Sequence, residues 1–442
     1  MLQRTTKTRI ISIILTVFLC ITQCFANISF VSATTNETVD QNDTINDPNT
    51  TSGSAVSTDI PVSTPDSSEP IATNSATPTP SNPTAQLRLM FTTDLHGALT
   101  TTNYETGSTK ATGTLARCAT LIKQSRAELP ENNTFLFDLG DALYDYSTDY
   151  IFEQDNTAVQ PIYSAMKSLG YDAITLGNHE FDYNLFYIQN QIANSGLQDI
   201  CVVSNVTHAT TKKHVWKENM MLTRKVTASD GSTMDINIGI VGETQPTLSS
   251  KRSKYANTLS TQDIIENTQE QAIALKAAGA DLVVVLAHSG VGTENGSGSG
   301  SFSNVGYALT KIPEVDVVLC GHSHQYFPSS RSASSNYYEI SGIDKETGLA
   351  NGKNLIMVAA NGAGVGIADL TVTKSTDSTL QIVNRTSTIR EATEDVTIDN
   401  DINNNYMGTW KNALISTYSN ILGEISNPAS YNNYFAPLED NS

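Results

Sequence analysis

The sequence is poor in cysteine, in basic residues and in long apolar runs, and each shortage closes off a class of protein. Five cysteines occur in 442 residues. Cys20 and Cys24 lie in the amino-terminal apolar run, while Cys118, Cys201 and Cys320 sit singly in apolar segments with no C-x-x-C pair. Three odd thiols give no disulfide framework, so they are expected to pack as small core residues. Lys and Arg number 26 against 45 Asp and Glu, for a formal charge of −19. Such a surface cannot neutralise a polyanion, so a nucleic-acid polymer is not an expected partner. The apolar run from Ile10 to Ala26 falls short of the ~20 residues that cross a bilayer.

That same run carries an export signal. Arg4, Lys7 and Arg9 precede it, and Val31-Ser32-Ala33 offers small residues where a signal peptidase needs them. Cleavage is expected after Ala33, giving a secreted or cell-surface, extracytoplasmic protein with no stable membrane span. Leu19 and Gln23 precede the two leader cysteines where a lipoprotein site would place a small residue. Residues 34–85 are Ser, Thr, Asn and Pro with few apolar side chains, too little to offset the entropy of ordering, and read as a disordered spacer. Its triplets at Asn36, Asn42 and Asn49 would be glycosylated only in a eukaryotic secretory pathway.

Order is expected from Leu87. The apolar run Leu87 to Phe91 reads as a strand, Leu115, Cys118, Ala119 and Ile122 recur at helical spacing, and Thr134 to Phe137 is strand-like. Val159 to Leu169 reads as a helix interrupted early by Pro161, and Ala173 to Leu176 and Ile200 to Val203 as strands. Asp230-Gly231 marks a hairpin turn. A helix near Thr261 to Ala278 precedes the strand Leu282 to Ala287, and a short helix precedes Val315 to Cys320. Leu355 to Ala359 and Ile367 to Val372 complete an α/β domain spanning residues 86–390, with helices packed outside buried sheet. Residues 391–442 read as a helical linker or the truncated start of a C-terminal domain, with Met407, Trp410, Leu414 and Tyr418 placed on one helix from Asn403 to Gly423.

Five short polar clusters fall where the buried strands end, the place at which α/β folds hold functional groups. They are Asp94-Leu95-His96, Gly140-Asp141, Gly177-Asn178-His179-Glu180, Ala287-His288 and Gly321-His322-Ser323-His324, and they take five of the seven histidines. Imidazole with carboxylate is a donor set suited to Zn, Mn, Fe or Co. In D-x-H and H-x-H both side chains fall on one side of an extended segment, and the adjoining glycines let the backbone approach an ion closely. Any one cluster is weak, since an isolated G-D is usually only a turn; their order through some 230 residues carries the argument.

That order resembles the calcineurin-like metallophosphoesterase superfamily, and the forms Thr93-Asp94-Leu95-His96-Gly97 and Gly177-Asn178-His179-Glu180-Phe181-Asp182 resemble its 5′-nucleotidase family. Gln160 to Met166 and Gly321 to Pro328 are most similar to the 2′,3′-cyclic-nucleotide 2′-phosphodiesterase/3′-nucleotidase branch. The resemblance covers Leu87 to Val372. It implies a four-layer α-β-β-α sandwich, two divalent metal ions and a small nucleotide substrate hydrolysed by metal-activated water. One ion would be held by Asp94, His96 and His324, the other by Asn178, His288 and His322, with Asp141 between them, because a shared carboxylate suits the ~3.5 to 4 Å spacing of two-metal hydrolases. Asn178 and His179 would meet the substrate phosphate. His179 would act as general acid or charge stabiliser, with Asp182 fixing its tautomer and favouring the protonated ring. The alternative for Asp182 is the N-cap of a helix from Leu185 to Ile192. Glu180 is left as a solvated or structural carboxylate, and Ser289 and Ser323 lack the base that covalent serine catalysis needs.

The chain departs from that family in three places. Residues 373–442 are too few for the second, nucleoside-binding domain of full-length members. Leu139 replaces a small or polar residue before the second block, and Gly290 to Ser303 is Gly- and Ser-rich, as a flexible loop would be. Hydrolysis of nucleotide sugars or general phosphomonoesters is the alternative enzyme function. A non-catalytic surface binding protein on this fold is disfavoured, because unpaired buried polar groups at strand ends cost ~1 to 3 kcal/mol each.

Overall fold

The structure is a computed structural model that describes residues 82–418, apart from residues 105, 247, 249–257, 294–302 and 376 and the side chains of 332–335. The expected leader, most of the spacer and the end of the tail lie outside the described residues, as does most of the Gly- and Ser-rich loop. Twelve strands are described: β1 (Thr84–Thr92), β2 (Thr134–Asp138), β3 (Ala173–Ile174), β4 (Val206–His208), β5 (Met220–Thr227), β6 (Thr233–Glu243), β7 (Leu259–Thr261), β8 (Leu282–Ala287), β9 (Val317–Cys320), β10 (Asn354–Met357), β11 (Gly364–Lys374) and β12 (Leu380–Glu391). The α-helices are α1 (Leu115–Ala127), α2 (Tyr146–Gln154), α3 (Pro161–Leu169), α4 (Leu185–Asn194), α5 (Ile264–Ala277), α6 (Gly306–Leu309), α7 (Asn400–Asn405) and α8 (Trp410–Tyr418).

Two five-stranded sheets face each other, ordered β12-β11-β1-β2-β3 and β10-β9-β8-β6-β5, beside a short β4-β7 ribbon. β1, β2 and β3 run parallel, as do β10, β9, β8 and β6. Side-chain alternation along the strands sorts the core into layers. Leu87, Leu89 and Phe91 of β1, and Leu282, Val284 and Leu286 of β8, fill the space between the sheets. Met90 turns the other way onto Leu115, Cys118 and Ile122 of α1 and Met166 of α3. Val283 and Val285 likewise meet Ile264 and Leu275 of α5. Helix, sheet, sheet and helix thus form the four-layer α-β-β-α sandwich. Strands buried on both faces must be apolar throughout, which is why β8 reads Leu-Val-Val-Val-Leu-Ala.

Several boundaries differ from the sequence expectations. Order reaches back to Thr84, because β1 pairs antiparallel with β11 from Thr84↔Thr373 onward. Pro161 starts α3 rather than interrupting it, since its missing N–H is unneeded at the first helical position. Ile200 to Val203 forms only isolated bridges at Cys201 and Val202. The helix expected from Asn403 onward is two helices, α7 and α8, broken around Gly408 at φ 49°. Ile402, Met407 and Leu414 join the core over the first sheet, so this tail packs on the domain. Cys118, Cys201 and Cys320 are free and buried. No helix among the described residues is long and apolar enough to cross a membrane.

Candidate metal centre

The polar clusters converge at the carboxyl ends of β1, β2, β3, β8 and β9. In a parallel sheet every such end lies on the same edge, so loops far apart in sequence meet there. The first two loops are tied together by backbone hydrogen bonds: Asp94 N–H to Gly140 O, His96 N–H to Asp141 O and Gly97 N–H to Ala142 O, each 2.9 Å. Asn361 N–H closes the other side on Asp94 O at 2.7 Å. Within this frame five candidate metal-ligand residues take left-handed backbone angles, Asp94 (φ 49°), His96 (42°), Asp141 (53°), His322 (68°) and His324 (55°), as does Asn361 (61°). Such conformations cost about 1 to 3 kcal/mol each and persist where surrounding bonds enforce them, which is typical of functional sites. Gly177 cannot be replaced in kind, because a Cβ there would lie 2.2 Å from Asp141 Oδ1.

Two groups of donor atoms result. Asp94, His96 and His324 form one, and Asp141, His288 and His322 the other, the atoms of each group lying within 4.8 Å of one another. His324 Nε2 is 3.3 Å from Asp94 Oδ1 and 3.3 Å from His96 Nε2. His288 is fully buried, and its Nδ1 lies 2.9 Å from Leu139 O, which can only accept. Nδ1 therefore donates, and Nε2 faces Asp141 Oδ2 at 3.0 Å and Asn178 Oδ1 at 3.1 Å. Asp141 Oδ2 accepts no aligned hydrogen bond. A neutral imidazole lone pair among oxygen acceptors needs a cation between them, either a proton or a metal ion, and a backbone-oriented histidine is how metal ligands are commonly fixed. The residues present thus fit the divalent ions that the sequence suggests.

The charges agree. Burial alone would lower His288, but Asp141 and Asp94 outweigh it and push the ring up to about 10. Burial would raise Asp94, yet His288 and His324 bring it to about 2. Asp141 is likewise held below the ordinary carboxylate range by the surrounding histidines, against its burial. His322 drops to about 4 through burial and the neighbouring His288 charge, leaving its ring neutral and able to coordinate. Metal affinity and proton affinity compete for these same atoms.

His179 lies beside the first group, its ring 5.3 Å from that of His96. Its Nδ1 is 2.6 Å from Asp182 Oδ2, and its backbone N–H donates to Asp141 Oδ1 at 2.6 Å. The cap of α4 is Asn184, which accepts from Tyr187 N–H at 2.9 Å, so Asp182 is not the N-cap. Ser289 Oγ donates to Ser303 O and Ser323 Oγ to Asn304 Oδ1.

Two residues carry more than their sequence suggested. Of its two expected roles Glu180 takes the structural and not the solvated one: it is fully buried and accepts from the backbone N–H of Asp141 (2.9 Å), Ala142 (2.8 Å), Leu143 (3.1 Å) and Gly177 (2.8 Å). Its carboxylate pins the second and third loops to each other. The one sequence signal was an acid immediately after a Gly-Asn-His strand end. Tyr144, given no part above, stacks on His179, and nothing in its local sequence marks it.

Fold and centre together define an α/β protein with a paired divalent-metal ligand set at the carboxyl edge of facing sheets. The calcineurin-like phosphoesterase family matches residues 87–326, more than half of the chain, and the chain belongs to that family. It is 28% identical over 371 residues to the trifunctional nucleotide phosphoesterase protein YfkN of Bacillus subtilis, covering 81% of this chain and 24% of that protein. It is 30% identical over 291 residues to the 2′,3′-cyclic-nucleotide 2′-phosphodiesterase/3′-nucleotidase of Salmonella typhimurium, covering 65% and 43%. The crystal structure of the YfkN calcineurin-like phosphoesterase superposes with a TM-score of 0.69 at 28% identity, over 76% of this chain and 100% of that one. A putative 5′-nucleotidase from Staphylococcus aureus, at 18% identity and a TM-score of 0.56, shares the fold. The chain spans under half the length of these two curated relatives.

Proposed function

We propose that this chain is a secreted two-metal phosphoesterase that hydrolyses nucleotides, as a 2′,3′-cyclic-nucleotide phosphodiesterase/3′-nucleotidase or a 5′-nucleotidase. The observation that carries the proposal is the apposition of His288 Nε2 and the otherwise unpaired Asp141 Oδ2 at 3.0 Å, between two three-residue ligand groups. Asp94, His96 and His324 would hold one ion, Asn178, His288 and His322 the other, and Asp141 both. When bound, two divalent ions supply a hydroxide near neutral pH and polarise the phosphoryl oxygens.

The chain's own residues do the rest. Asn178 and His179 meet the substrate phosphate. Asp182 accepts from His179 Nδ1, leaving Nε2 to carry the proton that a departing sugar oxygen takes up, the part of a general acid. Burial of Asp94, Asp141 and His288 keeps bulk water from competing at the ligand atoms. The expected export signal and the Ser/Thr/Pro spacer support action outside the cytoplasm, and the formal charge of −19 supports a small nucleotide and not a polymer as substrate.

The test is hydrolysis of bis-p-nitrophenyl phosphate, 2′,3′-cyclic AMP, 3′-AMP and 5′-AMP by the full mature chain with Mn or Zn, beside Asp141→Asn. Metal-dependent turnover abolished in Asp141→Asn is expected, and the preferred nucleotide assigns the branch. A chain that takes up no metal in equilibrium dialysis refutes the proposal.

A further inference from the structure

Tyr144 combines two unfavourable features. Its backbone sits at φ +80°, a strained conformation for a bulky residue, and the residue is 45% exposed. Neither backbone preference nor apolar burial accounts for that placement. What it achieves is contact: the ring lies parallel to the His179 imidazole, with centroids 4.0 Å apart and planes 15° from each other. It terminates a row of rings running out from the first ligand group, with His324 and His96 at 5.2 Å and His96 and His179 at 5.3 Å.

The segment around Tyr144 is fixed on both sides. Leu143 N–H is held by Glu180, Tyr144 N–H donates to Thr148 Oγ1 at 3.1 Å, and Asp145 caps α2 through Thr148 N–H at 2.8 Å. On its other edge His179 Nδ1 meets Asp182 Oδ2 at 2.6 Å, which sets the tautomer. The Tyr144 ring lies flat against the imidazole face and so bears on the plane of the ring.

We infer that Tyr144 is a positioning residue for His179: Asp182 selects the nitrogen that carries the proton, and Tyr144 sets the plane in which it points at the departing oxygen. The inference rests on the proton-donor part proposed for His179. Backbone strain retained for a side-chain contact is what a functional position shows, whereas a purely structural tyrosine would be buried and relaxed.

The test uses the full mature chain carrying Tyr144→Phe, Tyr144→Leu or Tyr144→Gly, each also in a His179→Ala background. With a nucleotide, whose leaving group is a sugar hydroxyl, Phe keeps kcat within about twofold, while Leu and Gly lower it about tenfold with KM little changed. The loss is smaller for a p-nitrophenyl ester, whose leaving group departs without a proton. In the His179→Ala background Tyr144→Leu has no further effect, as expected of two residues acting through one group. Tyr144→Gly relieves the left-handed strain and leaves Tm at or above the parent value. In metal-free protein, NMR shows the His179 ring protons shifted by the tyrosine ring current, retained in Phe and lost in Leu. Unchanged nucleotide kcat in Tyr144→Leu, a further loss without His179, or unmoved His179 resonances each overturn the inference. A parent chain with no phosphoesterase activity defeats the proposed function instead, and the NMR comparison still decides whether Tyr144 holds the ring.

Discussion

Glu180→Gln is the substitution whose cost the structure fixes most tightly. Oε1 accepts from the amides of Ala142 and Leu143, with the Tyr163 hydroxyl at 3.3 Å, and Oε2 accepts from Asp141 and Gly177. Burial, and then the nearby Asp141, raise the Glu180 pKa, but the backbone amides oppose the rise and offer no acceptor for a proton on either oxygen. Glutamine keeps the shape and one oxygen, and places an NH2 where the other oxygen was. Whichever way the amide turns, two buried backbone N–H groups face a donor, at about 1 to 3 kcal/mol apiece, or ~2 to 6 kcal/mol altogether. Relief of repulsion with Asp141 offsets part of this. Against a typical total of about 5 to 15 kcal/mol, that is a large fraction of the stability. Urea unfolding of the metal-free chain should show a lower midpoint with an unchanged slope. Because the loosened loop carries Asp141, metal uptake by elemental analysis should fall as well. A variant that loses under about 1 kcal/mol and binds the parental amount of metal would refute the claim that this carboxylate organises the two loops.

Asp182→Asn should lower nucleotide turnover markedly more than p-nitrophenyl turnover, and His179→Ala should lower kcat on nucleotides by ~10² to 10⁴, both read from steady-state kinetics. Gly177→Ala would drive a methyl into Asp141, whose Oδ1 lies 2.2 Å from the built Cβ, so metal binding should be lost in a calorimetric titration. The Glu128 carboxylate is held down to about 2 by hydrogen bonds first from Arg390 and then from Arg88. A depressed acid pKa stabilises the fold fully above the unfolded value near 4.5 and loses that contribution as pH falls toward 2. Glu128→Gln should therefore flatten acid unfolding over that window, by no more than ~1 kcal/mol since the side chain is 44% exposed. A midpoint shift confined to neutral pH would contradict this.

Much of the architecture was legible because buried parallel strands have to be apolar throughout. Leu282 to Ala287 reads directly as β8, and Asp230-Gly231 marks the turn between β5 and β6. The short elements were legible only in part: the strand expected from Ala173 to Leu176 is β3, cut to two residues, and Cys201 and Val202 form bridges only, since their apolar character reflects burial beneath neighbours more than pairing. The break between α7 and α8 was hidden because apolar spacing continued across Gly408.

The layered α/β pattern and the polar clusters at strand ends are written in the chain itself, for period-two burial and the chemistry of imidazole and carboxylate are both local properties. Which donor atoms lie within reach of one another depends on the tertiary fold. Parallel pairing puts His288 Nε2 beside Asp141 Oδ2 although the residues are 147 positions apart, and no local pattern encodes that distance. It also decided what Glu180 and Tyr144 do. A carboxylate that satisfies four amides from two loops, and a ring laid flat on an imidazole, exist only once separate segments have been brought together.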